Sequence, residues 1–229
     1  MNFIKSIKNL TLTEKVIWIS SLIIIFISSM ALPDNDWLSI ATSLVGATAL
    51  IFVAKGDPIG QLLCIFFSLC YAAVSFKFRY YGEMITYLGM SAPSALWALI
   101  SWLRNPYSER EVKVAKMTAR KWMYLSIGTI LVTVVMGVIL AVFNTPNLIV
   151  SIISVTTSFA ASMLTILRSP YYALFYAAND IVLIVLWILA TIVNIGYFPM
   201  IICFSIFLVN DIYGFINWRR IREKQNCNA

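Results

Sequence analysis

Two carboxylates lie inside apolar sequence that has little reason to keep them. Asp180 follows Asn179 in YYALFYAANDIVLIVLW (171–187), and Asp211 follows Asn210 in FSIFLVNDIYGFINW (204–218). At helical spacing Asp180 shares a face with Tyr176, Leu183 and Trp187. Asp211 lines up with Phe207, Gly214 and Trp218, and Asn210 with Phe207, Tyr213 and Gly214. Carboxylate, carboxamide and aromatic faces brought together suit a polar, planar molecule, cationic ones included. The acid supplies charge, the amides bridge hydroxyls, and the rings stack or make cation–π contacts. Competing roles exist for each residue. Asp211 stands about two turns from Arg219 and Arg220, within reach of an interfacial salt bridge. Asn210 suits inter-helix glue, and Trp187 suits plain packing. Asp180 has no basic residue near it in its run, which favours a functional role.

Helices spanning a membrane must position these groups. The chain has 229 residues, 61% hydrophobic and 12% charged, and its mean hydropathy is +0.86. A soluble domain has about 25% charged residues, and about 20 apolar residues make one membrane crossing. Apolar runs fall at about 16–33, 37–54, 59–76, 83–103, 122–143, 147–167, 170–194 and 197–218. They lack the alternation of transmembrane strands, so an all-α integral membrane protein with eight helices is expected. The first run is read as a retained helix, since no clean small-residue cleavage site follows it. With the N-terminus inside, all of the 17 Lys and Arg except Lys77 and Arg79 fall on one set of edges. That places both termini in the cytoplasm of a multi-pass cell-membrane protein, and makes the net charge of +7 a matter of topology rather than of nucleic-acid binding.

Absences narrow the chemistry. The chain has no histidine, so imidazole-based metal sites, triads and proton relays are excluded. No P-loop motif occurs. Cys64, Cys70 and Cys203 lie in apolar runs and Cys227 in the tail, without metal-ligand spacing. No cofactor and no metal are expected, and an intramembrane enzyme is disfavoured. Asp180 and Asp211 as an acid dyad would need one depth, whereas helical counting separates them by about a turn.

The two halves also resemble each other. TSLVGATALIFVAKGDP (42–58) lines up with SVTTSFAASMLTILRSP (154–170) at an offset of 112 (154 less 42). Trp102 and Trp218 end the matching runs at an offset of 116 (218 less 102), which implies a short insertion near 195–198. The expected organisation is an extra N-terminal helix (1–35), a three-helix repeat (36–103), a basic loop and linker helix (104–143), a second three-helix repeat (144–220) and a tail (221–229). The linker makes the repeats parallel, and such transporters hold substrate at the repeat interface. The first half matches Asn179 and Asp180 with Phe67 and Ser68, and Asn210 and Asp211 with Ser94 and Ala95. It can contribute Gln61, Ser68, Tyr71, Ser91 and Ser94 to a site. Pro93 frees a backbone carbonyl and kinks its helix. Glu83 sits near the outer edge, where it snorkels or pairs with Arg79. Thr42, Ser43, Gly46, Thr156, Thr157 and Ser158 read as helix-packing contacts.

The ending Asn210-x-x-Tyr213-Gly214-x-x-x-Trp218 with basic residues after it, and the aromatic segment 171–187 with polar residues at its middle, resemble the Pnu vitamin transporters of the PnuC type. So does the three-plus-one-plus-three order, over roughly residues 37–220. The resemblance implies a SWEET-like fold and facilitated diffusion of an unphosphorylated vitamin precursor, most simply nicotinamide riboside. It implies a cytoplasmic kinase that traps the cargo, and a homotrimer. Tryptophans expected early in the seventh helix are replaced here by Tyr171, Phe175 and Tyr176, which leaves thiamine and riboflavin as alternatives. A vitamin-binding subunit of a separately energised complex is a further one. The substrate-site residues expected are Asp180, Asn179, Asn210, Tyr213, Trp187, Asp211, Tyr176, Gln61 and Tyr71.

Overall fold

A backbone in hydrocarbon has no water to bond, so each apolar run closes its hydrogen bonds on itself as a helix. The computed structural model describes residues 3–30, 37–77 and 81–227. A short helix α1 (Phe3–Lys8) precedes α2 (Leu12–Met30), α3 (Trp37–Lys55) and α4 (Pro58–Lys77). Next come α5 (Tyr81–Thr86), a π-helical turn (Tyr87–Ser91) and α6 (Ala92–Leu103), which together form one span. Helices α7 (Ala119–Val142), α8 (Leu148–Ile166), α9 (Tyr171–Val193) and α10 (Phe198–Cys227) complete the bundle. Among the described residues eight stretches are long and apolar enough to cross a membrane, and they match the eight runs expected from sequence. Arg79, the suggested partner of Glu83, lies outside the described residues.

Three details differ from expectation. Pro93 falls at a helix boundary within its span rather than inside a regular helix. It stands in the first turn of α6, and the register shift is taken up by the wide turn at Tyr87–Ser91 just before it. Helix α10 continues past Trp218 to Cys227 because Ile221 and Gln225 are buried against the basic connection. That connection is an ordered strap. Strands β1 (Pro106–Ser108) and β2 (Glu111–Val112) pair antiparallel, Pro106 opposite Val112 and Ser108 opposite Glu111. The chain then runs extended to Thr118, whose hydroxyl caps α7 by accepting from Lys121 N.

The strap lies across two turns that share one hydrogen-bond pattern. Gly56 (φ 74°) ends α3 and Arg168 (φ 56°) follows α8, both left-handed and 112 residues apart (168 less 56). In the first, Asp57 N donates to Phe52 O at 3.0 Å and Asp57 Oδ1 accepts from Ile59 N at 3.0 Å. In the second, Ser169 N donates to Leu164 O at 3.0 Å and Ser169 Oγ accepts from Tyr171 N at 3.4 Å. Each turn offers a carbonyl to the strap: Val112 N donates to Gly56 O and Ala115 N to Arg168 O, both at 3.0 Å. Gln225 fastens the far side. Its Nε2 donates to Glu111 Oε1 (2.9 Å) and Val112 O (3.0 Å), and its Oε1 accepts from Val114 N (2.9 Å).

Beneath the strap the halves exchange tryptophans. Trp102 Nε1 on α6 donates to Thr165 O on α8, and Trp218 Nε1 on α10 donates to Val53 O on α3, each at 2.9 Å. The two acceptors occupy equivalent positions (165 less 53 is again 112). The indoles touch, with centroids 5.3 Å apart, and Tyr172 packs edge-on against Trp218 at 4.9 Å. Correspondingly, α3 packs on α10 and α6 on α8. Helix α7 packs mainly on α8 and leaves Ile130, Leu131, Val134 and Val138 exposed, as suits a lipid-facing surface.

Replacing Trp102 or Trp218 by Phe keeps most of the ring but removes the indole donor. The carbonyls keep a backbone donor each, Arg168 N to Thr165 O at 3.0 Å and Gly56 N to Val53 O at 2.9 Å. Each change should destabilise by about 0.5–1.5 kcal/mol, read as a lowered Tm of the purified protein in detergent. The double variant should depart from additivity because the two rings are in contact.

Candidate functional site

Above the tryptophan pair the helices leave a cavity at the centre of the bundle. Its free volume is about 110 Å³, well beyond the roughly 10–15 Å³ that one water needs, so it is large enough for a solute. The walls come from equivalent faces of both halves: Gly46, Leu50 and Val53 on α3 against Ser158, Ser162 and Thr165 on α8, and Ser91 and Ala95 against Phe207 and Asp211 on α10. Gly46 permits the closest approach. A Cβ there would stand 2.7 Å from Phe207 Cζ and 2.8 Å from Phe67 Cε2, so the two wall rings meet over it only because no side chain intervenes.

Polar chemistry is concentrated on α9 and α10. Asp180 and Asp211 both line the cavity, each 4% exposed. Their carboxyl groups face one another within hydrogen-bonding reach. Asp180 Oδ2 is buried with no amide, hydroxyl or cationic donor among the described residues. No lysine or arginine stands among the described lining residues. The depth difference that weighed against such a pair therefore does not hold. Asp180 lies 13 residues before the last residue of α9 (193 less 180), and Asp211 lies 13 after the first of α10 (211 less 198). Antiparallel neighbours counted from the turn between them reach the same depth. The salt bridge from Asp211 to Arg219 and Arg220 is replaced by this inward placement, and Arg219 instead lies over the Phe215 ring at 5.8 Å.

Asn179 is pinned by α8. Its Oδ1 accepts from Ser154 Oγ at 3.0 Å and Thr157 Oγ1 at 2.9 Å, which leaves its amide nitrogen as a donor at the cavity wall. Tyr176 lines the wall with its hydroxyl 3.0 Å from Ser162 Oγ. Gln61 enters from α4, 3% exposed, and no protein hydrogen bond engages its amide among the described residues. Asp180, Asn179, Asp211, Tyr176 and Gln61 are thus brought together around one space.

Four other sequence candidates stand elsewhere. Asn210 turns away from the cavity toward α2, where its Nδ2 donates to Ser21 Oγ (3.3 Å) and to Ile206 O (2.9 Å). Tyr213 also faces α2, its hydroxyl donating to Glu14 Oε1 at 3.3 Å. Glu14 there closes a capping box with Thr11 and an ion pair with Lys55 at 2.9 Å. Both residues anchor the N-terminal helix, because a helix turns by about 100° per residue, which takes Asn210 (one step away) and Tyr213 (two steps away) out of the Asp211 face. Trp187 continues the Asp180 stripe beyond the cavity, packed on Tyr197 (5.7 Å) and stacked with Phe204 (6.5 Å). Tyr71 sits behind Tyr87, ring centroids 4.2 Å apart, and supports it.

The structure adds Tyr87, Tyr172, Phe67, Ser162 and Thr165 to the lining. The 112-residue offset could have found Ser162 and Thr165, since they match Leu50 and Val53 on the same face. Tyr87 carried no such signal, because it depends on the π-helical turn. Ser158, expected as a packing contact, also reaches the cavity. Tyr213→Phe should leave ligand affinity within about twofold while costing roughly 0.5–1.5 kcal/mol of stability. A thermal melt combined with a binding titration separates the two effects.

Residues 36–220 match the family model described as the nicotinamide mononucleotide transporter. Among curated relatives, the nicotinamide riboside transporter PnuC of Neisseria mucosa is 28% identical over 201 residues, covering 85% of this chain and 76% of the relative. The protein of the same name from Haemophilus influenzae is 24% identical over 215 residues, covering 93% and 92%. The crystal structure of the vitamin B3 transporter PnuC superimposes with a TM-score of 0.82 at 26% identity, over 95% of this chain and 94% of that one. The fold, its spans and the family match together make this chain a multi-pass membrane transporter of the nicotinamide mononucleotide transporter family.

Proposed function

We propose that this protein carries nicotinamide riboside across the cell membrane, bound in the central cavity by Asp180, Asp211, Asn179, Tyr176 and Gln61. The observation that carries the reading is the charge of the wall: two carboxyl groups and, among the described residues, no lysine or arginine. The riboside is a cation with ribose hydroxyls, so the acids meet its charge and the amides of Asn179 and Gln61 meet its hydroxyls. The mononucleotide adds a phosphate, which would find two carboxyls and no cationic partner. The relatives named for the riboside agree with that preference. The same charge logic supports trapping by a cytoplasmic kinase, because a phosphorylated product has no favourable route back through an acidic cavity.

Movement by rocking of two three-helix units, 36–103 and 144–220, is supported by the twin turns and the exchanged tryptophans at equivalent positions. The excess of basic residues at the strap end supports a cytoplasmic strap with both termini on that side. The family resemblance supports a homotrimer with one pathway per protomer. Thiamine is the second reading, since it too is a cation with an aromatic ring.

Proteoliposomes should take up labelled nicotinamide riboside faster than the mononucleotide, thiamine or riboflavin. Asp180→Asn should weaken riboside binding about 10- to 100-fold, as expected for losing a charged partner in a dry site, with the Tm retained. Equal uptake by variant and parent would remove Asp180 from the site, and preferred uptake of thiamine would reassign the substrate.

A further inference from the structure

A second space, of about 540 Å³, opens on the flank of the bundle, well away from the central cavity. Its walls are Phe3 of α1, Leu22 and Phe26 of α2, Leu44 and Val45 of α3 and Leu63 of α4. Thr48 is the one polar residue among the described lining, and its hydroxyl is committed. It accepts from Trp18 Nε1 at 3.1 Å and donates to Leu44 O at 2.8 Å. A groove with no free polar group suits hydrocarbon rather than water or a polar solute. The hydrogen bonds that tie α2 to its neighbours, at Glu14, Trp18 and Ser21, lie toward its strap end, and the groove runs beside the turns that follow. Phe26 stands 14 residues beyond the start of α2 (26 less 12), about 21 Å along the helix. The groove is therefore deep enough for the roughly 15 Å of hydrocarbon in one leaflet.

Helix α1 builds the strap-end mouth of this groove. Phe3 rests on Phe52 with ring centroids 5.6 Å apart, and Ser6 Oγ donates to Asp57 Oδ2 at 2.6 Å. Lys5 and Lys8 of the same short helix are exposed. The described acids of this corner are engaged internally. Asp57 accepts from Ser6 and from Ile59 N, while Glu14 accepts from Thr11 N, Lys55 and Tyr213. The positive charge of α1 is thus presented at the surface, beside an apolar opening.

We propose that this groove binds an anionic phospholipid of the strap-end leaflet, with one acyl chain lying between α2 and α3 and the headgroup phosphate meeting Lys5 and Lys8. The apolar walls hold the chain and the lysines select the headgroup, since each lysine at a membrane edge favours anionic lipid by about fivefold. The lipid completes the packing of α2 on α3 beyond the last of its hydrogen bonds at Ser21. It is a structural ligand, separate from the cargo of the central cavity.

Native mass spectrometry of the full-length protein, supplied with phosphatidylglycerol or phosphatidylcholine of identical chains, reads the site. The parent should retain one phosphatidylglycerol per chain where phosphatidylcholine dissociates, and its Tm should rise with phosphatidylglycerol alone. The double variant Lys5→Gln, Lys8→Gln should reduce that preference about 10- to 30-fold, the product of two fivefold losses. Val45→Trp, which fills the groove, should abolish retention of both lipids; if it does not purify, the lysine variant decides. Equal retention of the two lipids by the parent overturns the inference, as does a preference that survives the lysine changes or the filled groove. Dissociation of protomers in Val45→Trp would make the groove a contact between copies of this chain, and would overturn it too.

Discussion

Placing an ionised side chain deep in a membrane span costs about 2.5–3.5 kcal/mol on insertion scales, and this chain brings two carboxyl groups from its last two spans to one cavity with no lysine, arginine or histidine among the described lining residues. Much of the structure serves that arrangement. The turn between α9 and α10 brings Asp180 and Asp211 to one depth. Ser154 and Thr157 hold the carbonyl of Asn179 so that its amide is presented at the wall. Phe67, Tyr87, Phe204 and Phe207 line the same space with aromatic rings. An acidic site built this way is incomplete until positive charge enters it, which makes it suited to moving a cation rather than to storing one.

The frame around the site is nearly symmetric, whereas its chemistry is not. Gly56 and Arg168, Asp57 and Ser169, Val53 and Thr165, and Trp102 and Trp218 perform matched tasks in the two halves. A left-handed turn is easy for Gly56 and strained for Arg168, yet the backbone bonds around both are the same. Inside the cavity the equivalence ends, for Ser68 and Ala95 stand where the other half has Asp180 and Asp211. The first half supplies small walls and the Gln61 amide, and the second supplies charge. The exchanged indole bonds tie each half to the other at the strap end.

Adjacent residues show how far the linear pattern reaches. Asn210 and Asp211 look alike in sequence, polar neighbours in an apolar run, and both suggest a site. In the fold Asp211 faces the cavity, while Asn210 and Tyr213 hold α2 through Ser21 and Glu14. Periodicity identifies which residues share a face of one helix. It does not say which neighbour that face meets, and α10 has a different neighbour on each side. Trp187 follows the same logic, since it extends the Asp180 stripe but lies past the end of the space that the stripe lines.

From residue types and their order alone came the membrane setting, the eight spans, the placement of basic residues and the presence of acids where lipid does not favour them. These follow from local rules: hydrocarbon demands closed helices, and a charge within them needs a reason. Tertiary structure decided which polar residues converge, that the two acids touch, that Tyr87 reaches the cavity from a π-helical turn, and that the charged connection becomes an ordered strap. Those outcomes depend on helix-to-helix register and on neighbours more than a hundred residues away. No local pattern encodes where two antiparallel helices stop sliding, and that stopping point places Asp180 opposite Asp211.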